Sequence, residues 1–342
     1  MEEVVIEVNR GGLVISLDFE LNWGVHDVFK YGQYNKNLYG VREALPKILT
    51  LFEQYGIHAT WATVGLLFAE TKEEMSHYLR GIPVKYKNMR FAAHTQLAKV
   101  GENEQEDLLH FGKSLIEKIK RTPHQEIGSH TFSHYYCLEN GQTEANFRAD
   151  LHANAMICEE NIAPMKSIVF PRNQVNEAYF PACQEVGFVC YRGNEKHPLY
   201  DPQKFMKKGR LLGAKKWLDS YVNITGNHLV TLEEMQMDSF VNIRSSAFLR
   251  PYCSPLRFFE GLKIKRIKEG MHAAAMTKAF YHLWWHPHNF GKNNEKNLAM
   301  LEELLQYYQE LRDQYNFQSY TMHEVAELCQ SLSRKSPIGE DQ

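Results

Sequence analysis

Residues 12–24 read GLVISLDFELNWG. A largely apolar run reaches Leu17, as in a strand covered on both faces, and then meets Asp18 and Glu20, with Trp23 and Gly24 just beyond. Two carboxylates at the tip of a buried strand are costly unless a cation or hydrogen-bond donors stand opposite them. The stretch therefore sets two expectations at once: a strand in the core of an α/β fold, and a site at its C-terminal end.

Outward from there, strand-like and helix-like periods alternate. VREALPKILTLFEQYG places Leu45, Ile48, Leu49 and Phe52 on one helical face, with Gly56 able to end the helix. The segment IHATWATVG reads as the next strand, and a helical stretch begins at LLFAETKEEM. HQEIGSH is a short strand, and TEANFRADLHANAMICEENI is a helix buried through Phe147, Leu151, Ala155, Cys158 and Ile162. KSIVFP, GFVCYR and KAFYHLWWH read as further strands, followed by a helix packed through Leu298, Leu301, Leu305 and Tyr308. The last unit, FQSYTMHEVAELC, is a strand and a helix with Thr321 and Glu324 in capping-box spacing. Repeated units of this kind predict a distorted (β/α) barrel of about seven parallel strands. The 342 residues are expected to form one domain, 1–342, with rim insertions at about 71–124 and 195–275.

With 44% hydrophobic residues the chain can build a sizeable core, and a formal charge of -2 gives no basic field for a nucleic-acid backbone. The N-terminus MEEVVIEVNRGG carries acids where a secretory signal carries lysines. No run reaches the roughly 18 apolar residues of a membrane span. Six cysteines are scattered without a CxxC pair and read as buried thiols. The expectation is a cytoplasmic protein.

Polar residues gather where the predicted strands end. Asp18 and Glu20 end the first; His130 and His134 follow EIGS; Arg172 and Asn173 follow SIVF; Arg192 follows FVCY; His286 and His288 follow FYHLWW. In parallel barrels chemistry collects at that end. The four-residue spacing in SHTFSH suits one helical turn that turns both imidazoles to one side, as a divalent metal needs, or an ordinary helix start capped by Ser129 or Thr131. Two imidazoles plus one carboxylate leave open positions for water, the composition of a catalytic zinc-type site.

These residues resemble the polysaccharide deacetylase (NodB-homology) superfamily of the carbohydrate esterase family 4 type. SLDFEL stands where that family has paired aspartates, ATWATVG is similar to its next strand, and HTFSH matches its His-[Ser/Thr]-x-x-His motif. FPRN is similar to the arginine–proline motif with the order reversed, and HLWWHPHNFG to the motif that supplies a histidine. The resemblance implies that Glu20, His130 and His134 hold one divalent metal ion, zinc by preference, with Asp18 as base and His286 as general acid. Because Phe19 separates the two acids, the reverse assignment of Asp18 and Glu20 stays open. His288 is the second candidate for the acid and for a substrate contact.

Arg172 is expected either to orient Asp18 or to hold a substrate anion, with a structural salt bridge as the other reading. Asn173, Arg250 and Trp285 complete the expected substrate contacts; for Arg250 a plain loop role, and for one of Trp284 and Trp285 a core role, stand beside them. KIKRIK at 263–268 reads as a solvated helix face, or as a peripheral contact for diphosphate or anionic lipid heads. The implied activity is metal-dependent removal of an N-acyl (acetyl or formyl) group from an amino sugar, on a small-molecule or a lipid- or nucleotide-linked sugar that serves as an intracellular precursor of a surface polysaccharide. Allantoinase-like hydrolysis of a cyclic amide and a catalytically inactive sugar- or metal-binding barrel are the alternatives.

Overall fold

The computed structural model describes residues 11–30, 32–236 and 239–335. Strand β1 (Gly12–Phe19) leads to helix α1 (Asn35–Tyr55) and β2 (Ala59–Thr63). Helices α2 (Lys72–Arg80) and α3 (Lys113–Arg121) precede β3 (Gln125–Ser129), and α4 (Glu144–Asn161) precedes β4 (Ser167–Ile168). Then come α5 (Phe180–Glu185), β5 (Cys190–Tyr191), α6 (Pro202–Asp219), α7 (Leu232–Gln236), β6 (Val241–Asn242) and β7 (Ala247–Phe248). The chain finishes with α8 (Glu260–Thr277), β8 (Phe280–Trp285), α9 (Asn294–Tyr315), β9 (Gln318–Tyr320) and α10 (Met322–Lys335). Among the described residues, no helix is long and apolar enough to cross a membrane.

All strand pairings in this sheet are parallel, in the order β6-β5-β4-β3-β2-β1-β8-β7. Its two ends are one run of chain. Ile243 N–H donates to Tyr191 O and Ser245 N–H to Gly193 O on the β5 side; Ser246 N–H then donates to His282 O and Leu249 N–H to Trp284 O on the β8 side. The hydroxyl of Ser246 accepts from His282 N–H at 3.0 Å, standing in for a carbonyl where the ladder changes partner. The sheet thus curls into a distorted barrel with β6 and β7 as two halves of one stave. β9 pairs with Gly12–Val14 of β1, below the point where β2 takes over at Ile15.

The two-residue period of β1 divides the core. Leu13, Ile15, Leu17 and Phe19 face outward into the layer packed by α1, α3 and α9. Val14 faces the lumen with Ala62, Val169, Cys190, Ile243 and Phe280, and α10 supplies Met322, Val325, Ala326 and Cys329 to this cluster. Continuing the alternation carries Ser16, Asp18 and Glu20 along the lumen side toward its mouth.

Local signals behave as their chemistry requires. Gly56 ends α1 in the left-handed region at φ 63°, and Thr321 and Glu324 form a reciprocal capping box, each accepting the other's N–H at 3.1 and 2.7 Å. The span 195–275 is not all rim, however: its residues 241–249 are a barrel stave, and α8 packs on α9 and β8. Short strands hid that stave, since two residues of ladder followed by Ile243–Ser246 leave no periodic run to read. The span 71–124 holds α2, α3 and the irregular chain between them.

Candidate active site

At the mouth, Glu20 Oε2 lies 3.0 Å from His134 Nε2 and 3.4 Å from His130 Nε2. One ligand atom from each of the three residues falls within 4.8 Å of the others, and all three residues are buried. His130 Nδ1 donates to Val169 O at 2.8 Å, which fixes its tautomer and leaves the Nε2 lone pair facing Glu20. Burial depresses His134 to about 4, so its imidazole is neutral and able to ligate. Burial alone would raise Glu20, but His286, His130 and His134 outweigh it and hold the carboxyl well below its ordinary value. Two imidazole nitrogens and one carboxylate suit a divalent ion with open positions, so the donor set fits the metal implied by the sequence.

SHTFSH is not a helical turn. Thr131 and His134 both adopt positive φ, 61° and 57°, and the loop folds back so that the two imidazoles stand with ring centroids 5.0 Å apart. Asp150 on α4 holds this strained segment: it accepts from Phe132 N–H at 2.7 Å, from Ser133 N–H at 3.1 Å and from the Ser133 hydroxyl. Gly24 completes the cradle of Glu20. A Cβ there would stand 1.9 Å from the Glu20 carboxyl carbon, so the glycine in the opening stretch clears room for the acid.

Asp18 is held by Arg192. The guanidinium grips both carboxylate oxygens, at 2.7 and 2.8 Å, and also reaches the Ser16 hydroxyl and Asn173 Oδ1, each at 2.9 Å. Burial works to raise Asp18, and the charge and hydrogen bonds of Arg192 overcome it, so the carboxyl sits below its ordinary value. Below this pair, His282 Nε2 meets the Ser16 hydroxyl at 2.8 Å and its Nδ1 donates to Ile243 O at 3.0 Å. Burial keeps His282 neutral, depressed to about 3.

His286 closes the group, with Nε2 3.7 Å from Asp18 Oδ2 and 3.6 Å from Glu20 Oε1. Its Nδ1 lies 3.3 Å from Asn289 Oδ1, which turns Nε2 toward the acids. His288 stacks on His286 and lies 3.9 Å from Glu20; its Nδ1 is buried without a hydrogen-bond partner, and burial depresses it to about 3.

Asp18, Glu20, His130, His134, His286 and His288 thus converge. Two expected contacts fall elsewhere. Arg172 pairs with Asp27, lies 3.9 Å from Glu139 and covers the Tyr136 ring at 4.4 Å, so it does not orient Asp18. Arg172 and Asn173 both adopt left-handed φ, 54° and 53°, and it is Asn173 rather than Arg172 that reaches the Asp18 clamp. Trp285 is fully buried against Phe290 and Phe52, and the half-buried Trp284 faces the site instead, 4.1 Å under the Arg192 guanidinium. Asn173 meets Arg192 through its side chain. KIKRIK is only partly a solvated face, because Lys263 and Arg266 point inward to Glu260 and Asp219. Arg192 was legible by alternation, since Cys190 faces the lumen and Tyr191 the outer layer; Asp150 and Gly24 carry no comparable signal.

The polysaccharide deacetylase family model matches residues 37–191. A structure described as a putative polysaccharide deacetylase from Mycobacterium smegmatis superposes with a TM-score of 0.60 at 14% identity, covering 98% of this chain and 95% of that one. A CE4 family pseudoenzyme from Bacillus anthracis (TM-score 0.41, 10% identity, 93% and 65% coverage) and a CE4 esterase from Streptococcus mutans (0.39, 12%, 92% and 87%) are more distant. Among curated proteins none matches significantly.

Proposed function

We propose that this polysaccharide deacetylase-like barrel is a metal-dependent hydrolase that removes an N-acyl group from an amino sugar. The observation that carries the reading is the convergence of a two-histidine, one-carboxylate donor set with a separately clamped carboxylate and a histidine 3.7 Å from it. An inert sugar- or metal-binding barrel has no need of the last two.

Glu20, His130 and His134 hold the divalent ion, which supplies Lewis acidity toward water and the scissile carbonyl. Asp18 then has one task, to accept the proton of the attacking water, and Arg192 keeps it ionised and aimed. His286 in its imidazolium form presents Nε2–H to the departing nitrogen, which leaves as an amine once protonated. Asn289 fixes the ring, and Trp284 offers the only indole of the adjacent pair that a sugar can reach.

The test is release of free amine from N-acetylated and N-formylated amino sugars by protein loaded with one equivalent of zinc, against the same protein stripped by chelator. Cyclic ureides form the competing arm. Hydrolysis of the sugars, lost on stripping and restored by zinc, is expected; turnover of the ureides alone, or of neither class, sinks the proposal.

A further inference from the structure

Among the described residues, no acid forms an ion pair with Arg250; Asp219 acts on its charge only from a distance. Its guanidinium enters no ion pair or hydrogen bond among the described residues, and its Nε is buried without a partner. The nearby carboxylates are committed elsewhere. Asp219 takes Arg266 at 2.8 Å, the Tyr200 hydroxyl at 2.5 Å and the N–H groups of Ile224 and Thr225; Glu260 takes Lys263 at 2.6 Å. Glu195 faces Lys216, each offsetting the other's charge. Leaving a largely buried cation uncompensated costs stability. The arginine is nevertheless held in place: Lys263 Nζ donates to the carbonyls of Arg250 and Pro251 at 2.9 and 3.2 Å, fixing the main chain behind it.

The guanidinium lies over Phe248, 5.5 Å from the ring centroid. Phe248 in turn is 4.6 Å from Trp284 and 5.8 Å from His286 by ring centroids, and Trp284 lies under Arg192. One continuous wall therefore runs from the partner of Asp18, across two half-buried aromatic rings beside His286, to a cation without an ion-pair partner among the described residues. We infer that this wall is the binding track of the substrate and that Arg250 is its anion subsite, so that the substrate bears a phosphate or carboxylate group remote from its N-acyl nitrogen. A planar fork of N–H donors matches either group, and aromatic faces suit the apolar face of the sugar between them. The inference rests on the proposed hydrolase only for which bond is cut; the anion subsite stands on Arg250 itself.

Two measurements test it. Calorimetric titration with inorganic phosphate compares wild type, Arg250→Met and His130→Ala. Wild type and His130→Ala bind phosphate, while Arg250→Met binds at least about tenfold more weakly, the size of one charge-assisted contact. Loss of phosphate binding in His130→Ala with retention in Arg250→Met would assign the anion to the metal and overturn the subsite. The second measurement is kcat/KM for N-acetylglucosamine, its 1-phosphate and a carboxylate-bearing N-acetylated amino sugar. Wild type prefers an anionic sugar, the better of the two naming the group, and Arg250→Met loses that preference through KM. No preference in wild type, or equal losses on neutral and anionic sugars, overturns it. Wild type inactive on all three sugars defeats the hydrolase reading, while the phosphate titration still decides Arg250. Thermal melts separate a structural role: Arg250→Met melts at or above wild type if the arginine serves a ligand, and a clear fall makes it structural.

Discussion

Two buried aspartates at the mouth of the barrel are each gripped by an arginine, and the two pairs do different work. Asp18 and Arg192 meet inside the lumen through two parallel hydrogen bonds, both side chains at or below 4% exposure. Asp27 and Arg172 meet at the wall, where the arginine side chain is 33% exposed and its face covers Tyr136. The first pair keeps a carboxylate charged beside His286 and the metal donors; the second ties the segment after β1 to the segment after β4. A buried aspartate–arginine pair is thus no guide to chemistry until the direction each side chain takes is known.

The sharpest way to break this contrast is to remove one acid from each pair. Asp18→Asn cannot accept a proton from water, so amide hydrolysis should fall by about 100- to 10,000-fold while zinc content, measured by elemental analysis, stays near one per chain. Asp27→Asn should stay within a few-fold of wild type. Comparable losses would erase the distinction, and loss of zinc in Asp18→Asn would hand Asp18 the ligand role assigned to Glu20.

Removing the arginine from the lumen acts next most strongly, and on stability. Arg192→Met strands the Asp18 charge in a closed lumen and should cost about 3–5 kcal/mol in denaturant unfolding. Its pH dependence carries the sign. In wild type the folded-state pKa of Asp18 lies below the unfolded value, so its pairing adds stability above that unfolded value, lost as pH falls through the folded one. Without Arg192, burial dominates and raises Asp18, so this group lowers stability as pH rises, and the acid limb of kcat/KM moves to higher pH. An unmoved limb would mean that Arg192 does not set the base.

His286 belongs to the lumen side of the comparison by distance, and the leaving group tests its part. His286→Ala should retain zinc and lose about 100-fold on an amide, because an amine leaves only when protonated. An ester with a phenolate leaving group departs without that proton and should lose far less. Equal losses on the two substrates would reduce His286 to positioning.

How much of this was legible before the structure follows the same contrast. β1 announced itself because its alternation and its acids lie within one uninterrupted run; the spacing in SHTFSH drew attention to His130 and His134, while Glu20 as their fellow donor came from the family resemblance, with Asp18 as the alternative. Arg172 carried two readings, a site contact because FPRN places it directly after a strand and a structural salt bridge; the structure shows the salt bridge, and the positive φ at that residue leaves no trace in the letters. The helical turn expected in SHTFSH failed for a related reason, since Thr131 and His134 are held in strained conformations by Asp150, which comes 16 residues after His134. The stave at 241–249 was missed because its ladder runs only two residues on either side of Ile243–Ser246, too short for a periodic run, and the Ser246 hydroxyl stands in for a carbonyl where the partner changes.

The smallest expected effect comes from the wall. Arg172→Met takes the opposing charge away from Asp27 but leaves that carboxylate the Tyr136 hydroxyl, 3.3 Å away, so the loss should be about 1–2 kcal/mol rather than that of Arg192→Met. The methionine side chain can still lie on the Tyr136 ring, which limits the packing lost. Tyr136 also meets His134 edge-on with ring centroids 5.1 Å apart, which gives the wall one route to the metal donors. Groups directly bonded to a ligand change metal affinity by about 10- to 100-fold when removed. Arg172 acts one ring further away, through a face contact rather than a hydrogen bond, so zinc affinity by chelator competition should weaken by less than tenfold. The acid limb of kcat/KM should not move, because Arg172 does not touch Asp18. A limb that shifts upward as in Arg192→Met would show that the two pairs are electrostatically one network and that the separation of base from wall is wrong.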